Sequence, residues 1–207
     1  MNSNPDESRQ ALILDFWFGD LKEGGVPPEH LSRMWWAKDE NTDEYIRVNF
    51  EADLINAREG RLGVWEISPR GTLALIILLD QFSRNIYRGK PEAFAQDPRA
   101  LNLSQRGIER GFDKELHPAM RVFIYMPFMH SEDPDIQKKS IALFAVLERD
   151  FTSLPALSNV LSENRDYADR HEAIIERFGR FPHRNSILGR ESTAEEIEFL
   201  KQPGSSF

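Results

Sequence analysis

Ser68-Pro-Arg-Gly-Thr-Leu-Ala-Leu-Ile-Ile-Leu-Leu-Asp-Gln-Phe-Ser-Arg-Asn-Ile-Tyr-Arg-Gly89 is the stretch that decides the fold. A serine followed by proline reads as a helix start. The hydroxyl accepts a first-turn N–H, and proline at the first helical position needs no donor of its own. The run Leu73–Leu79 is apolar on every side, which places it at the buried centre of a domain. A buried parallel strand is the competing reading of such a run. Leu and Ala favour helix, however, and no other segment reads convincingly as a strand. If the helix continues to Gly89, Asp80, Arg84 and Arg88 fall on one face at four-residue spacing, with Gln81 and Asn85 alongside.

The same punctuation recurs outward from this stretch. Asp6 or Ser8 caps a first helix ending near Gly19, with Leu12, Phe16 and Trp17 as its stripe. A Gly/Pro loop through Pro28 leads to a short helical turn over His30–Trp36. Asn41 or Thr42 opens a long helix whose Ile46, Phe50, Leu54 and Ala57 share a face, and Gly60 ends it. Downstream, Asp97-Pro98, His117-Pro118 and Asp133-Pro134 each read as a cap followed by proline. Pro127 ends or kinks the second of these helices. A long amphipathic segment follows Leu154-Pro155 and stops at Gly179. Ser192 to Glu195 reads as a capping box for a last short helix, beyond which the tail from Gln202 is expected to fray. The prediction is one all-α domain over residues 1–207, with helices joined by short turns and packed as antiparallel neighbours.

Composition narrows the function classes. Acidic residues outnumber basic ones by 34 to 26, and the net charge of -8 disfavours non-specific nucleic-acid binding. There is no Cys, which excludes disulfides, thiolate catalysis, zinc ribbons and iron–sulfur clusters. The amino terminus lacks the pattern of a signal peptide, and the longest apolar run is far shorter than the ~20 residues that span a bilayer. A cytoplasmic protein with neither nucleic acid nor membrane as partner is expected. No G-x-S-x-G elbow, P-loop, dinucleotide fingerprint or H-E-x-x-H pair occurs, so no cofactor is expected. His130, Glu132, Asp133 and His183 are metal-ligand types, but nothing in their spacing imposes a site.

Polar residues with chemical potential fall in three places. The first is Asp80, Arg84, Asn85 and Arg88. Guanidinium groups on buried scaffolding suit a carboxylate or phosphate, with an internal Asp80–Arg84 ion pair as the competing account. The second is His130-Ser-Glu-Asp133 at a helix start. Capping accounts for Ser131 and Asp133, whereas His130 is left as a candidate acid or base tuned by Glu132 or Asp133. The third is Arg180-Phe-Pro-His-Arg-Asn185 with Arg190, where His183, Arg184, Asn185 and Arg190 can all donate to an anion. Its Phe, Arg-Asn and Gly echo Gln81–Gly89, as two equivalent corners of a fold would. Trp36 is a candidate pocket wall, although paired tryptophans more often anchor a loop, and His171 reads as a core histidine. The leading expectation is a pocket for an anionic small molecule or peptide carboxylate. The alternative is a hydrolytic enzyme with His130 as base, Glu132 or Asp80 orienting it and arginines stabilising an oxyanion.

Five stretches carry a family resemblance: Ile13–Gly19, Trp35–Asp39, Leu78–Gly89, Tyr125–Asp133 and Phe178–Asn185 through Leu188–Thr193. In these the chain resembles the bacterial proteins of unknown function grouped as DUF924. Ser83 stands where that family most often has proline, and the polar residues around it match. The resemblance implies a tetratricopeptide-like right-handed superhelix of about seven to nine helices, although the 34-residue repeat signature itself is missing. It implies no activity.

Overall fold

Ser68 starts the central helix as its sequence requires, its Oγ accepting from Gly71 N at 3.1 Å. The rod that follows is α4 (Pro69–Ile76), a π-helical segment (Ile77–Phe82) and α5 (Ser83–Ile86) in continuous succession. Every side chain from Gly71 to Ser83 is buried. The computed structural model describes residues 5–206; residues 1–4 of the amino-terminal stretch and Phe207 of the tail lie outside them. Among the described residues all regular structure is helical and no strand occurs.

Around the rod stand α1 (Pro5–Phe18), α2 (Glu29–Trp36) and α3 (Glu40–Arg58) on the amino-terminal side. The carboxy-terminal side holds α6 (Asp97–Glu109), α7 (Pro118–Met129), α8 (Pro134–Asp150), α9 (Pro155–Phe178) and α10 (Ala194–Phe199). α3 packs on the π segment and on α5, α1 and α6 pack on α4, and α6 packs on α7, α7 on α8 and α8 on α9. α7 is buried along its whole length, with Pro127 accommodated in its last turn. Its lone charge, Arg121, is met by the Tyr125 hydroxyl at 3.1 Å and the Asp113 carboxylate at 3.7 Å. No helix among the described residues is long and apolar enough to cross a membrane.

Aromatic rings close the core where α1, α2, the rod and α7 meet. Trp17 lies edge-on to Phe82 at 5.4 Å and to Phe123 at 5.8 Å, and Phe50 packs on Phe82 at 5.0 Å. Such contacts contribute about 0.5–1.5 kcal/mol each beyond area burial. Beyond α10 the chain turns through residues 201–206, with Ser205 buried and its hydroxyl donating to Leu200 O at 3.2 Å.

Several helix starts differ from the sequence reading. Asp39, rather than Asn41 or Thr42, caps α3, accepting from both of their backbone N–H groups. The capping box of α10 is Thr193 with Glu196, one residue later than expected. The Asp97 carboxylate caps nothing: α6 begins at Asp97 itself, and its oxygens receive two arginines. Finally, the rod ends at Ile86, and its π segment changes which side chains share a face.

Candidate functional site

The π segment fixes the position of Asp80. In π winding each N–H reaches five residues back, and Ser83 N donates to Leu78 O. Displaced carbonyls then need other donors. Ser83 Oγ donates to Leu79 O at 2.6 Å, and Arg84 Nη1 donates to Asp80 O at 2.7 Å. The Asp80 side chain is 0% exposed and accepts on both oxygens: from His130 Nδ1 (2.7 Å) on Oδ1 and from Gln81 Nε2 (2.5 Å) on Oδ2, with Arg84 Nη1 3.1 Å from Oδ1. The sequence-derived ion pair between Asp80 and Arg84 is therefore present, and it is part of something larger.

His130 arrives as the C-cap of α7, directly after the last residue of the buried helix. It is 9% exposed. Arg184 comes from the loop after α9, donating Nη2 to His130 O at 3.1 Å and Nη1 to Asp97 Oδ2 at 3.2 Å. Arg84 grips the same Asp97 bidentately at 2.9 and 3.0 Å. Both guanidiniums also face the Phe94 ring, at 5.5 Å for Arg84 and 4.7 Å for Arg184, and Phe181 covers Arg184 on another side at 4.6 Å. The Arg-Asn echo thus corresponds to two corners that converge on one carboxylate and one ring.

Charge states follow from burial and neighbours. Burial alone would raise the Asp80 carboxyl, but Arg84 and His130 outweigh it and hold it well below the ordinary range. Burial, reinforced by the Arg84 charge, pushes His130 down against the pull of Asp80. His130 is neutral near pH 7, with Nδ1–H donating to an ionised Asp80. Burial and then the two arginines lower His183 to about 4, and burial followed by His130 lowers His171 well below its usual value. Arg184 falls to about 10, through burial and then repulsion by Arg84.

These groups line a recess of about 640 Å³. Its cations are Lys38, Arg84, Arg88, Arg170 and Arg184, its imidazoles are His130, His171 and His183, and no Asp or Glu lines it among the described residues. Apolar surface comes from Met126, Met129, Phe94 and Trp36. The tryptophan pair divides its labour. Trp35 anchors α2 by donating Nε1 to Trp17 O at 2.8 Å, while Trp36 stacks one face on Phe123 and stays 54% exposed at the rim.

The structure gathers only part of the sequence-derived set. Asp80, Arg84, His130, His183 and Arg184 meet at the recess, with Trp36, Asn85 and Arg88 at its edge. Asn85 and Arg88 both donate to Asp43, at 2.8 and 2.6 Å. Glu132 lies outside the recess and does not orient His130. It accepts from Arg190 at 2.8 and 3.0 Å and from Phe181 N at 2.8 Å, which pins the loop after α9 to the end of α7. Asn185 is buried away from the recess, donating to Ser192 Oγ at 3.1 Å. Asp97 and Phe94 were not singled out in the sequence, where Asp97 before proline resembled an ordinary cap. His171 is both the core histidine expected, with Nδ1 2.7 Å from Tyr167 O, and a wall of the recess. No His/Asp/Glu group among the described residues is arranged to hold a metal ion.

No curated protein matches the chain. The structure of a protein of unknown function from Agrobacterium tumefaciens, ATU0120, is similar with a TM-score of 0.78 and 34% sequence identity, covering 94% of this chain and 98% of that one. The family described as "Bacterial protein of unknown function (DUF924)" matches residues 13–204, so the chain belongs to the DUF924 family.

Proposed function

We propose that this protein binds an anionic small molecule, or the carboxylate of a peptide, in the recess between α2, α5, α7 and α9. The observation that carries this reading is the sign of the lining. Lys38, Arg84, Arg88 and Arg184 face one cavity that no Asp or Glu lines among the described residues, in a chain whose net charge is -8. Asp80 and Asp97 sit behind the wall and neutralise Arg84 and Arg184 from the protein side. Lys38 makes no ion pair among the described residues. Apolar surface from Trp36, Phe94 and the methionines suits a ligand with a ring or hydrocarbon body, which is the usual make-up of a small-molecule site.

A thermal-shift screen over aromatic and aliphatic carboxylates, phosphate esters and short peptides tests this, because a ligand that binds only the folded state raises the melting temperature by mass action. Lys38→Glu is the informative control. Lys38 is exposed, so the change alters unliganded stability by no more than about 0.5 kcal/mol. It also places a carboxylate in the lining, and ligands found in the screen should then bind at least about tenfold more weakly, a loss of ~1.4 kcal/mol. Equal affinity in the variant, or a screen in which no anion shifts the melting curve, rejects the reading.

A further inference from the structure

We propose that the recess also catalyses hydrolysis, with His130 as the general base that activates water against the carbonyl carbon of a carboxylic ester whose own anionic group is held by the lining cations. The inference rests on the binding reading above and adds a chemical step to it. Its geometric basis is the way the imidazole is held. Nδ1 is taken by Asp80 Oδ1 at 2.7 Å, and Asp80 is itself immobilised by Gln81 and Arg84 with no exposure to solvent. A carboxylate so placed fixes the tautomer that leaves the Nε2 lone pair available, and it stabilises the imidazolium formed when Nε2 accepts a proton. Nε2 is not buried and makes no hydrogen bond among the described residues, and His130 faces the same recess as the cations.

The lining offers hydroxyls only from Tyr167 and Ser206, and neither bonds to His130. Water is therefore the nucleophile. Its oxygen bonds to the ester carbon while its proton passes to His130 Nε2, and the carbonyl π electrons move onto oxygen. Arg184, whose Nη2 already touches the His130 carbonyl at 3.1 Å, and Arg84 supply positive charge beside that oxyanion. Collapse breaks the bond to the leaving oxygen, which takes the proton from the imidazolium. The products are a carboxylic acid and an alcohol or phenol, and His130 is returned neutral. Asp80 touches no reacting atom and is a positioning residue.

The pair 4-acetoxybenzoate and 4-acetamidobenzoate separates the two levels of the proposal. The first is an ester with a carboxylate across an aromatic ring, and its hydrolysis releases 4-hydroxybenzoate, which is followed by absorbance. The second is an amide of the same shape and reports binding by calorimetry. The intact protein is expected to hydrolyse the ester with a rate that falls as the solution is acidified and His130 is protonated. His130→Gln should lower kcat by on the order of 10²–10⁴-fold, with amide affinity within about threefold, a change of ~0.65 kcal/mol. Added imidazole should restore activity to His130→Ala, which a merely structural histidine does not predict. Amide binding without ester hydrolysis above the His130→Gln level overturns catalysis and leaves binding standing. Absence of both overturns both. Should the variants not fold, ester hydrolysis by the wild-type protein no faster than in protein-free buffer overturns catalysis.

Discussion

Asp97→Asn offers a sharp test of the buried charge network, because this one carboxylate serves two arginines from different ends of the chain. Arg84 retains Asp80 at 3.1 Å when Asp97 is neutralised. Arg184 does not fare as well. It is 6% exposed, and its remaining acceptor among the described residues is His130 O. Removing one partner of a buried ion pair costs about 3–5 kcal/mol, because the other charge is left without compensation. Asparagine keeps one oxygen acceptor, and cation–π contact with Phe94 and Phe181 persists, so the low end, about 3 kcal/mol, is expected. For a chain of this size that corresponds to a fall in melting temperature of roughly 6–12 °C. Urea denaturation should show a lower midpoint at unchanged slope. Arg184→Met removes the stranded charge, so Asp97→Asn added to it should cost far less than in the wild-type background, a coupling of about 2 kcal/mol. The same variant should bind anions more tightly, since a competing carboxylate behind the wall has gone. A stability loss below about 1 kcal/mol, or additivity within ~0.5 kcal/mol in the double variant, would show that the convergence on Asp97 carries no energy.

Other outcomes follow from single features. Ser68→Ala removes the cap of the central rod and should cost about 1 kcal/mol by urea denaturation; an unchanged midpoint contradicts the capping assignment. Phe82→Ala opens a cavity where Trp17 and Phe50 meet and should cost ~3–5 kcal/mol, with a neutral result ruling out the packing described. His130, His171 and His183 all titrate below their ordinary value of 6.5 in the fold, His183 at about 4, so within that window the unfolded chain binds more protons than the folded one. Stability should therefore rise with pH from about 4 to about 6.5 and level off above it. A denaturation midpoint that is flat or falling across that interval is incompatible with buried neutral imidazoles.

Much of the architecture was legible because helices announce themselves locally. Ser68-Pro69, Asp133-Pro134 and Gly179 act through first- and last-turn backbone groups, and those signals need no tertiary information. Asp39 is less legible as a cap because Asn41 and Thr42, equally good capping residues, crowd the same turn. The site was legible in its strongest members. Asp80, Arg84, His130 and Arg184 are polar residues in or beside otherwise apolar segments, and such residues must find partners when buried. Two kinds of information were not local. Asp97 has an equally good local explanation as a cap, and only the approach of Arg84 and Arg184, 13 and 87 residues away, reveals its role. Glu132 lies two residues from His130 in sequence, yet the chain turn after α7 sends it to Arg190. Adjacency along the chain does not survive the end of a helix.

The π winding of Ile77–Phe82 has a consequence for protein engineering. An α-helix advances about 100° per residue, and a wider π turn of this length holds roughly one residue more than α winding would. Winding the same 6 residues as regular α-helix would keep Leu73 to Ile76 seated but swing everything beyond by about a quarter turn. Asp80 could not then meet His130 while Arg84 meets Asp97. A more regular, better-formed helix at the heart of this molecule would be one from which the charged cluster has been dismantled.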